Sequence, residues 1–391
     1  MSGPELISLG CRLNMSESER MRGMLAGEDN LVVINSCAVT SEAVRQTRQA
    51  IRKARRANPD ARLLVTGCAA DIEREQLAEM PEVDGLIANE AKLDPRAWNV
   101  PVEAPPLPPT RTRAFVAVQN GCDHACTFCV IPQGRGQSRS MTIDAVKREV
   151  GHHLALGARE VVLTGVDVTS WGHDLPGQPA LGTMVAAILD TFPELQRLRM
   201  SSLDGIEIDE QLFELFANEQ RMMPHLHLSL QHGHDLILKR MKRRHLRMDA
   251  VELVQRLKER RADLAIGADL IAGFPTETTD HHIANLSIVR ECEIVHGHIF
   301  PYSPRPGTPA ARMPQLDRSV IKSRAAELRA TVSDLRNRWL QSLVGKQLSV
   351  LAERDGTGYA PNFARVCVPE GIAAGQIATI SPERVTEGML I

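Results

Sequence analysis

Gly121-Cys-Asp-His-Ala-Cys-Thr-Phe-Cys129 places Cys122, Cys126 and Cys129 on one short loop, with three and then two residues between thiols. Three thiolates hold three irons of a [4Fe-4S] cluster and leave the fourth iron open, and an open metal position is what binding and activating a small molecule requires. A structural zinc site closes with four ligands instead. No fourth Cys or adjacent Cys-His pair stands nearby, although His124 could be drafted. The stretch therefore reads as a cluster loop before it reads as a zinc site or as three unliganded cysteines.

The loop follows an apolar run, Ala114-Phe-Val-Ala-Val118, that opens a series of six strand-helix units. Strands are expected near 114–118, 160–164, 197–202, 225–230, 265–271 and 296–301, with helical patterns at 143–156, 209–218, 249–260 and 279–293 between them. Six parallel units predict an open, partial (βα)6 version of the eight-unit barrel, with its chemistry at the carboxyl ends of the strands. A long polar helix over 316–343 packs across that barrel or bridges to the last segment. Residues 344–391 change to short β-like runs (347–351, 364–368, 376–380) separated by Gly, Pro and Asn, which predicts a small antiparallel β-barrel or sandwich. Its charges are slightly acidic, so on charge alone it need not bind RNA.

Upstream, Leu6-Ile-Ser-Leu-Gly-Cys11, Leu31-Val-Val-Ile-Asn-Ser-Cys37 and Arg62-Leu-Leu-Val-Thr-Gly-Cys68 each put a thiol just past the end of a short buried strand. Helices are expected from Ser16 to about Ala26 and from Ser41 to Asn58, the second with Ser41 as N-cap and Pro59 after its end. Strand-helix alternation implies a parallel sheet, whose sites gather outside the carboxyl ends of the strands. A lone Cys is often just a small buried hydrophobe. Three at one topological position point to a second cluster site on Cys11, Cys37 and Cys68. The second helix also aligns Arg45, Arg48, Arg52, Arg55 and Arg56 on one face, for phosphate contact or as a solvated face.

The expected division is thus α/β: an N-terminal parallel-sheet domain at 1–100, a Pro-rich linker at 101–110, the partial barrel at 111–343 and the β module at 344–391. A chain of 391 residues accommodates two or three domains. The net charge of -2 gives no global polyanion signal, so any nucleic-acid contact is local. The start lacks a basic region followed by an apolar run, and no apolar stretch is long enough for a bilayer. A cytoplasmic protein without membrane contact is expected, its eight cysteines (11, 37, 68, 122, 126, 129, 292, 367) serving as ligands or reduced thiols.

Cys-x3-Cys-x2-Cys with Phe128 before the last Cys resembles the signature loop of radical S-adenosylmethionine enzymes. Joined to Leu9-Gly-Cys-Arg-Leu-Asn14, Asn35-Ser-Cys-Ala-Val-Thr40 and Thr66-Gly-Cys-Ala-Ala70 upstream, and to a terminal module of the TRAM type, it resembles the methylthiotransferases over essentially the whole chain. Met241-Lys-Arg-Arg-His245 and the Pro-rich run His298 to Gln315 resemble the branch that modifies N6-threonylcarbamoyladenosine, position 37 of tRNA, next to the anticodon. The resemblance implies two [4Fe-4S] clusters and S-adenosylmethionine. The cluster on Cys122, Cys126 and Cys129 would cleave S-adenosylmethionine to a radical that removes hydrogen from C2 of the adenine, with those three cysteines as the catalytic set. The cluster on Cys11, Cys37 and Cys68 would supply sulfur, a second S-adenosylmethionine the methyl group, and a flavodoxin- or ferredoxin-type donor the electron. The sulfur donor is left open.

By family position, Phe128, Gly165, Asp167, Ser201, Gln231 and Asp269 would contact the cofactor; as plain alternatives they serve as caps, turns or core-edge polar groups. The four histidines of His225 to His234 match a barrel strand rather than a zinc site. Lys239, Arg240, Lys242, Arg243, Arg244 and Arg247 follow a strand end on the substrate side and are expected to contact tRNA phosphates. Arg135 and Arg139 could approach cofactor or RNA, and Cys292 and Cys367 pack as ordinary thiols. Two departures stand out: the terminal module is short with no basic excess, and Ser36 replaces a common Thr. The rival readings are the same chemistry on isopentenyladenosine in tRNA or on a ribosomal-protein aspartate, a non-enzymatic iron-sulfur carrier, and a zinc-stabilised RNA-binding module. A carrier generally closes its cluster with four protein ligands, which two three-cysteine sites argue against.

Overall fold

A computed structural model describes residues 3–101 and 111–391 of the chain. All but the first residue of the expected Pro-rich linker lies outside them. The first unit is a parallel sheet in the order β1 (Glu5–Ser8), β2 (Leu31–Ser36), β3 (Arg62–Gly67), β4 (Gly85–Leu86). Alternation explains its composition. Val32, Ile34, Leu63 and Val65 pack against Val44, Ile51 and Ala54 of helix α2 (Ser41–Ala57). On the other face Leu31, Val33 and Leu64 pack with Met21 of α1 (Arg12–Met24) and with Trp98. Covered on both sides, the strands have no polar face to show. Two short helices, α3 (Cys68–Ile72) and α4 (Arg74–Ala78), follow β3.

Two helix starts differ from expectation. α1 begins at Arg12 rather than Ser16, because Cys11 already has the extended backbone of a cap (φ -87°, ψ 171°). The N-cap of α2 is Thr40, not Ser41: Thr40 is extended and its Oγ1 accepts from Ala43 N at 3.1 Å. The arginines of α2 are mostly paired, Arg45 with Glu42, Arg48 with Glu73, Arg52 with Glu82 and Arg55 with Asp84, which makes this a solvated, charge-balanced face.

The central unit opens with β5 (Arg113–Ala117) and a short antiparallel pair, β6 (Gln119–Asn120) with β7 (Arg139–Ser140), that brackets the cluster loop and helix α5 (Ile131–Arg135). Helix α6 (Ile143–Ala155) leads to β8 (Glu160–Thr164), α7 (Leu181–Thr191) to β9 (Arg197–Met200), α8 (Glu210–Asn218) to β10 (His225–Gln231), α9 (Asp235–Arg240) and α10 (Arg247–Arg260) to β11 (Ala265–Ala272), and α11 (Thr279–Glu291) to β12 (Ile294–Pro301). All six long strands run parallel, as β5-β8-β9 and β10-β11-β12, and isolated parallel bridges Leu198 to Met222 and Leu203 to Leu228 join the halves. Arg113 on β5 and His296 on β12 both reach the ring of Phe363, at 5.6 and 5.8 Å, so the strand layer curls around a common interior. α1 packs on β5 and α12 (Arg318–Gln341) on β12.

The last unit is a six-stranded sheet built from β13 (Leu348–Ala352), β14 (Thr357–Tyr359), β15 (Arg365–Cys367), β16 (Ile377–Ile380), β17 (Val385–Thr386) and β18 (Met389–Leu390), in the order β16-β13-β14-β15-β18-β17. Every pairing is antiparallel except β15 with β18. Arg113 to Glu353 (2.8 Å), Arg197 to Ser349 O (2.8 Å) and Arg199 to Pro361 O (3.1 Å) fasten it to the amino ends of the central strands. Among the described residues no helix is long and apolar enough to cross a membrane.

The corrected cap has a direct consequence. Thr40→Ala is expected to lower stability by about 1 kcal/mol, and Ser41→Ala by less than about 0.5 kcal/mol, in thermal or denaturant unfolding. Equal effects would return the cap to Ser41.

Candidate cluster and cofactor site

The loop carrying Cys122, Cys126 and Cys129 is clamped from three sides. Gln119 Nε2 donates to Gly121 O (2.7 Å), while its Oε1 accepts from Val166 N (3.0 Å) and Asp167 N (2.9 Å), tying the loop to the end of β8. Thr127 donates its amide to Met241 O (3.1 Å) and its hydroxyl to Arg240 O (2.8 Å), and Thr127 O accepts from Ala310 N (2.9 Å). Donors are aimed at the sulfurs: His124 N at Cys122 (3.4 Å), Ile131 N at Cys129 (3.4 Å) and the Arg243 guanidinium at Cys126 (3.7 Å). Burial, with Asp167 and the neighbouring thiols adding to it, pushes Cys122 up to about 12, and burial with Cys126 does the same for Cys129. Bare thiolates are unfavourable there, and a metal held by these three sulfurs would supply the missing positive charge.

The second triad sits where β1, β2 and β3 end. Gly10 has φ +89°, and a Cβ added there would lie 2.7 Å from Cys37 Cβ, so the β1 loop lies directly on Cys37. Burial raises Cys37 to about 11 and the charges of Cys11 and Cys68 add to it, against a Val39 N–H that stabilises the thiolate. Cys68 is also raised by burial, opposed by the charges of Arg135 and Lys92. Among the described residues, the groups of three donors within 4.8 Å of one another are Cys122-His124-Asp167 and His227-Asp269-His298. Neither cysteine triad is among them, so in neither triad do all three sulfurs lie within 4.8 Å of one another.

The triads face each other. α5, directly after the first triad, packs on α3, which begins at Cys68, and a Cβ at Gly134 would lie 3.3 Å from Cys68 Cβ. Beneath this contact Arg135 bridges to Glu17 (2.9 and 3.0 Å), Asn14 Oδ1 (2.5 Å) and Asn120 Oδ1 (2.8 Å), and Lys92 reaches Glu17 at 2.5 Å. Arg135, Glu17 and Lys92 are all buried. Burial alone would raise the Glu17 carboxyl, but Lys92 and Arg135 hold it below its ordinary range. Its one sequence signal is the polar stripe Asn14, Glu17, Ser18 on the buried face of α1.

The expected cofactor residues fall at strand ends around the first triad, except Asp269, which sits midway along β11. Asp167 is held through its amide by Gln119, and its carboxylate accepts from His124 (2.7 Å) and Ser170 Oγ (2.8 Å), while Gly165 lies so close to Gln119 that an added Cβ would fall 2.8 Å from its carbonyl oxygen. Phe128 stands edge-on to Phe274 at 6.4 Å. Ser201 Oγ is buried with no hydrogen-bond partner among the described residues, and Gln231 ends β10 with φ +68°. Asp269 accepts from His227 (3.2 Å), His298 (3.0 Å) and Ser202 Oγ (2.9 Å); burial opposes its charge, but the two histidines hold it well below the carboxylate range.

The basic run divides. Lys239 and Lys242 are exposed. Arg244 is half-exposed and paired with Glu207 and His124. The others turn inward: Arg240 to Thr276 Oγ1 (2.7 Å), Arg243 to Asp204 (2.7 Å) and Ser229 O (2.8 Å), Arg247 to Gly233 O (2.7 Å) and Glu291 (2.5 Å). Arg139 donates to the Gln137 and Arg135 carbonyls, Cys292 is buried in the central core and Cys367 lies half-buried on β15.

A model of the radical SAM superfamily matches residues 116–286, and one of the uncharacterized protein family UPF0004 matches residues 5–88. The chain is 43% identical to the threonylcarbamoyladenosine tRNA methylthiotransferase MtaB of Rickettsia prowazekii, over 99% of this chain and 96% of that one. It is 32% identical to the tRNA-2-methylthio-N(6)-dimethylallyladenosine synthase of Paracoccus denitrificans, over 88% and 85% respectively. Among solved structures, the radical S-adenosylmethionine methyltransferase TsrM of Kitasatospora setae shares the fold, with a TM-score of 0.53 and 16% identity over 72% of this chain and 65% of that one.

Glu17→Gln leaves two buried cations without their carboxylate and is expected to destabilise the protein by about 3–5 kcal/mol at neutral pH. Because the folded carboxyl lies below its ordinary value of 4.5, its contribution is complete above that pH and is lost as pH falls below it. Wild-type unfolding midpoints should therefore drop more steeply below pH 4.5 than those of Glu17→Gln. Parallel pH profiles would exclude Glu17 as the titrating group.

Proposed function

The chain belongs to the radical S-adenosylmethionine methylthiotransferase family, and from that premise we propose that it methylthiolates C2 of N6-threonylcarbamoyladenosine in tRNA. Two three-cysteine sites facing each other across α3 and α5 carry this reading, because one would generate a radical and the other present sulfur to it. The 43% identity to a relative named for threonylcarbamoyladenosine, against 32% to one named for dimethylallyladenosine, favours the first substrate.

When loaded, the two clusters and S-adenosylmethionine supply hydrogen abstraction from one side and sulfur from the other. The chain's part is to hold and orient. Cys122, Cys126 and Cys129 would bind three irons and leave the fourth for S-adenosylmethionine; Cys11, Cys37 and Cys68 would do the same for the second cluster. Arg243 and the His124 and Ile131 amides stabilise charge on the first set of sulfurs. Phe128 offers a ring face for the adenine, Gly165 and Asp167 an edge for the amino group, and Ser201, Gln231 and Asp269 further polar contacts. Lys239, Lys242 and Arg244 are the cations of the basic run open to phosphate.

In this reading the six central strands form the partial (βα)6 barrel of residues 111–343, the N-terminal domain is 1–100, and the module at 344–391 is of the TRAM type. The electron comes from an external flavodoxin- or ferredoxin-type donor, and the enzyme works in the cytoplasm, where its tRNA substrate is.

Cys126→Ala is expected to abolish cleavage of S-adenosylmethionine, while Cys37→Ala retains cleavage and forms no methylthio product. Both are read by mass spectrometry of 5'-deoxyadenosine and tRNA nucleosides after anaerobic reconstitution. Methylthiolation by the Cys37 variant would remove that residue from its role, and stoichiometric zinc in place of iron would overturn the reading entirely.

A further inference from the structure

Arg12, the first residue of α1 and the neighbour of Cys11, sends its guanidinium into the interior of the central strand layer. It lies 5.6 Å from the ring centre of Phe363, whose ring also stacks on His225 at 4.9 Å and takes Arg199 at 4.8 Å. The acids of this interior already have partners. Glu353 holds Arg113, Glu160 holds Arg199 at 3.0 Å, and Asp269 is occupied by His227, His298 and Ser202. Among the described residues Arg12 has no hydrogen bond and no ion pair, only the ring of Phe363 and the longer-range fields of its neighbours. Arg12 is partly exposed, and a carboxylate entering this interior satisfies its fork of five N–H donors with two parallel hydrogen bonds.

The two modified adenosines named for the relatives differ at this point. A threonylcarbamoyl group ends in a carboxylate, whereas a dimethylallyl group is wholly apolar and would leave the cation unanswered. We propose that Arg12 binds the carboxylate of the threonylcarbamoyl group and thereby selects the substrate; this rests on the substrate reading above. His227 and His298, both held by Asp269, add polar groups suited to the hydroxyl and carbonyl of the same group. A site built around a charged hydrogen bond rejects an analogue that lacks the partner far more strongly than an apolar pocket rejects an added group.

The test uses the full-length, anaerobically reconstituted enzyme and tRNA anticodon stem-loops carrying threonylcarbamoyladenosine, dimethylallyladenosine or plain adenosine. Wild type should bind and modify the threonylcarbamoyl loop preferentially. Arg12→Met should weaken that binding about 10- to 100-fold while leaving the affinity for the plain loop unchanged, with Arg12→Lys in between. Iron content and S-adenosylmethionine cleavage without RNA are measured alongside. If Arg12→Met keeps the wild-type preference, the proposal fails and the substrate reading stands. Loss of iron would assign Arg12 to the neighbouring cluster, and loss of cleavage without RNA would assign it to S-adenosylmethionine; either overturns the proposal. A wild-type preference for the dimethylallyl loop would overturn the substrate reading itself, and the proposal with it.

Discussion

Glu17 is a carboxylate almost without solvent, and the relation between the two cysteine triads depends on it. It sits on α1, its partner Lys92 follows β4, and its other partner Arg135 ends the helix that starts just after the first triad. Removing three ions from water costs several kcal/mol each, offset only when geometry is good and the remaining donors and acceptors are satisfied. Asn14, Asn35 and Asn120 supply those contacts. An apolar contact could join the domains at less cost but would bring no charge. The network leaves one net positive charge beside the second triad, with Arg135 within electrostatic reach of both Cys11 and Cys68. It thus holds α5 against α3 and lowers the electrostatic penalty of what that contact brings together.

The opposite end of the central unit is closed by the terminal module. Phe363, held at φ +68°, inserts its ring among Arg12, Arg113, Arg199, His225 and His296. A non-glycine residue in the left-handed region persists only where its surroundings hold it, and five flanking side chains do that here. Phe363 plugs the amino ends of the strands, so the approach to the interior lies on the side where both triads stand. This gives the short module a use that its charge did not suggest, since it seals the interior whether or not it touches RNA.

What was legible in the sequence follows the range of the interactions. Strands that end in a cysteine, apolar on both faces, were readable because alternation and strand length are local, and the parallel sheet placed the three thiols at one edge. The start of α2 was misplaced by one residue because Thr40 and Ser41 are equally good caps by type, and only backbone angles choose between them. β14, β17 and β18, two or three residues long, are too short for alternation to mark them as strands. The charged residues were hardest. Arg243 meets Asp204, Arg247 meets Glu291 and Arg135 meets Glu17 across long stretches of chain, so a run that reads as a basic patch points largely inward. Arg12 carried no signal beyond standing next to a cysteine.

That inward turn bears on how an RNA is held. Phosphate contacts supply most of the sequence-independent affinity for nucleic acid, with a salt dependence that grows with their number. Here four of the six cations of the basic run are paired with protein groups, the arginines of α2 are largely paired with acids, and the terminal module has no basic excess. Few cations of these three segments remain for the backbone, so the steering and grip by charge that they supply are modest. An enzyme that acts on C2 of a stacked base has to take that nucleotide out of its stack, at a cost of a few kcal/mol. With a weak hold on the backbone, the offsetting contacts have to come from the nucleotide inside the pocket. Recognition of the modified base and its extraction are then one event, and a base without the right group is not drawn in.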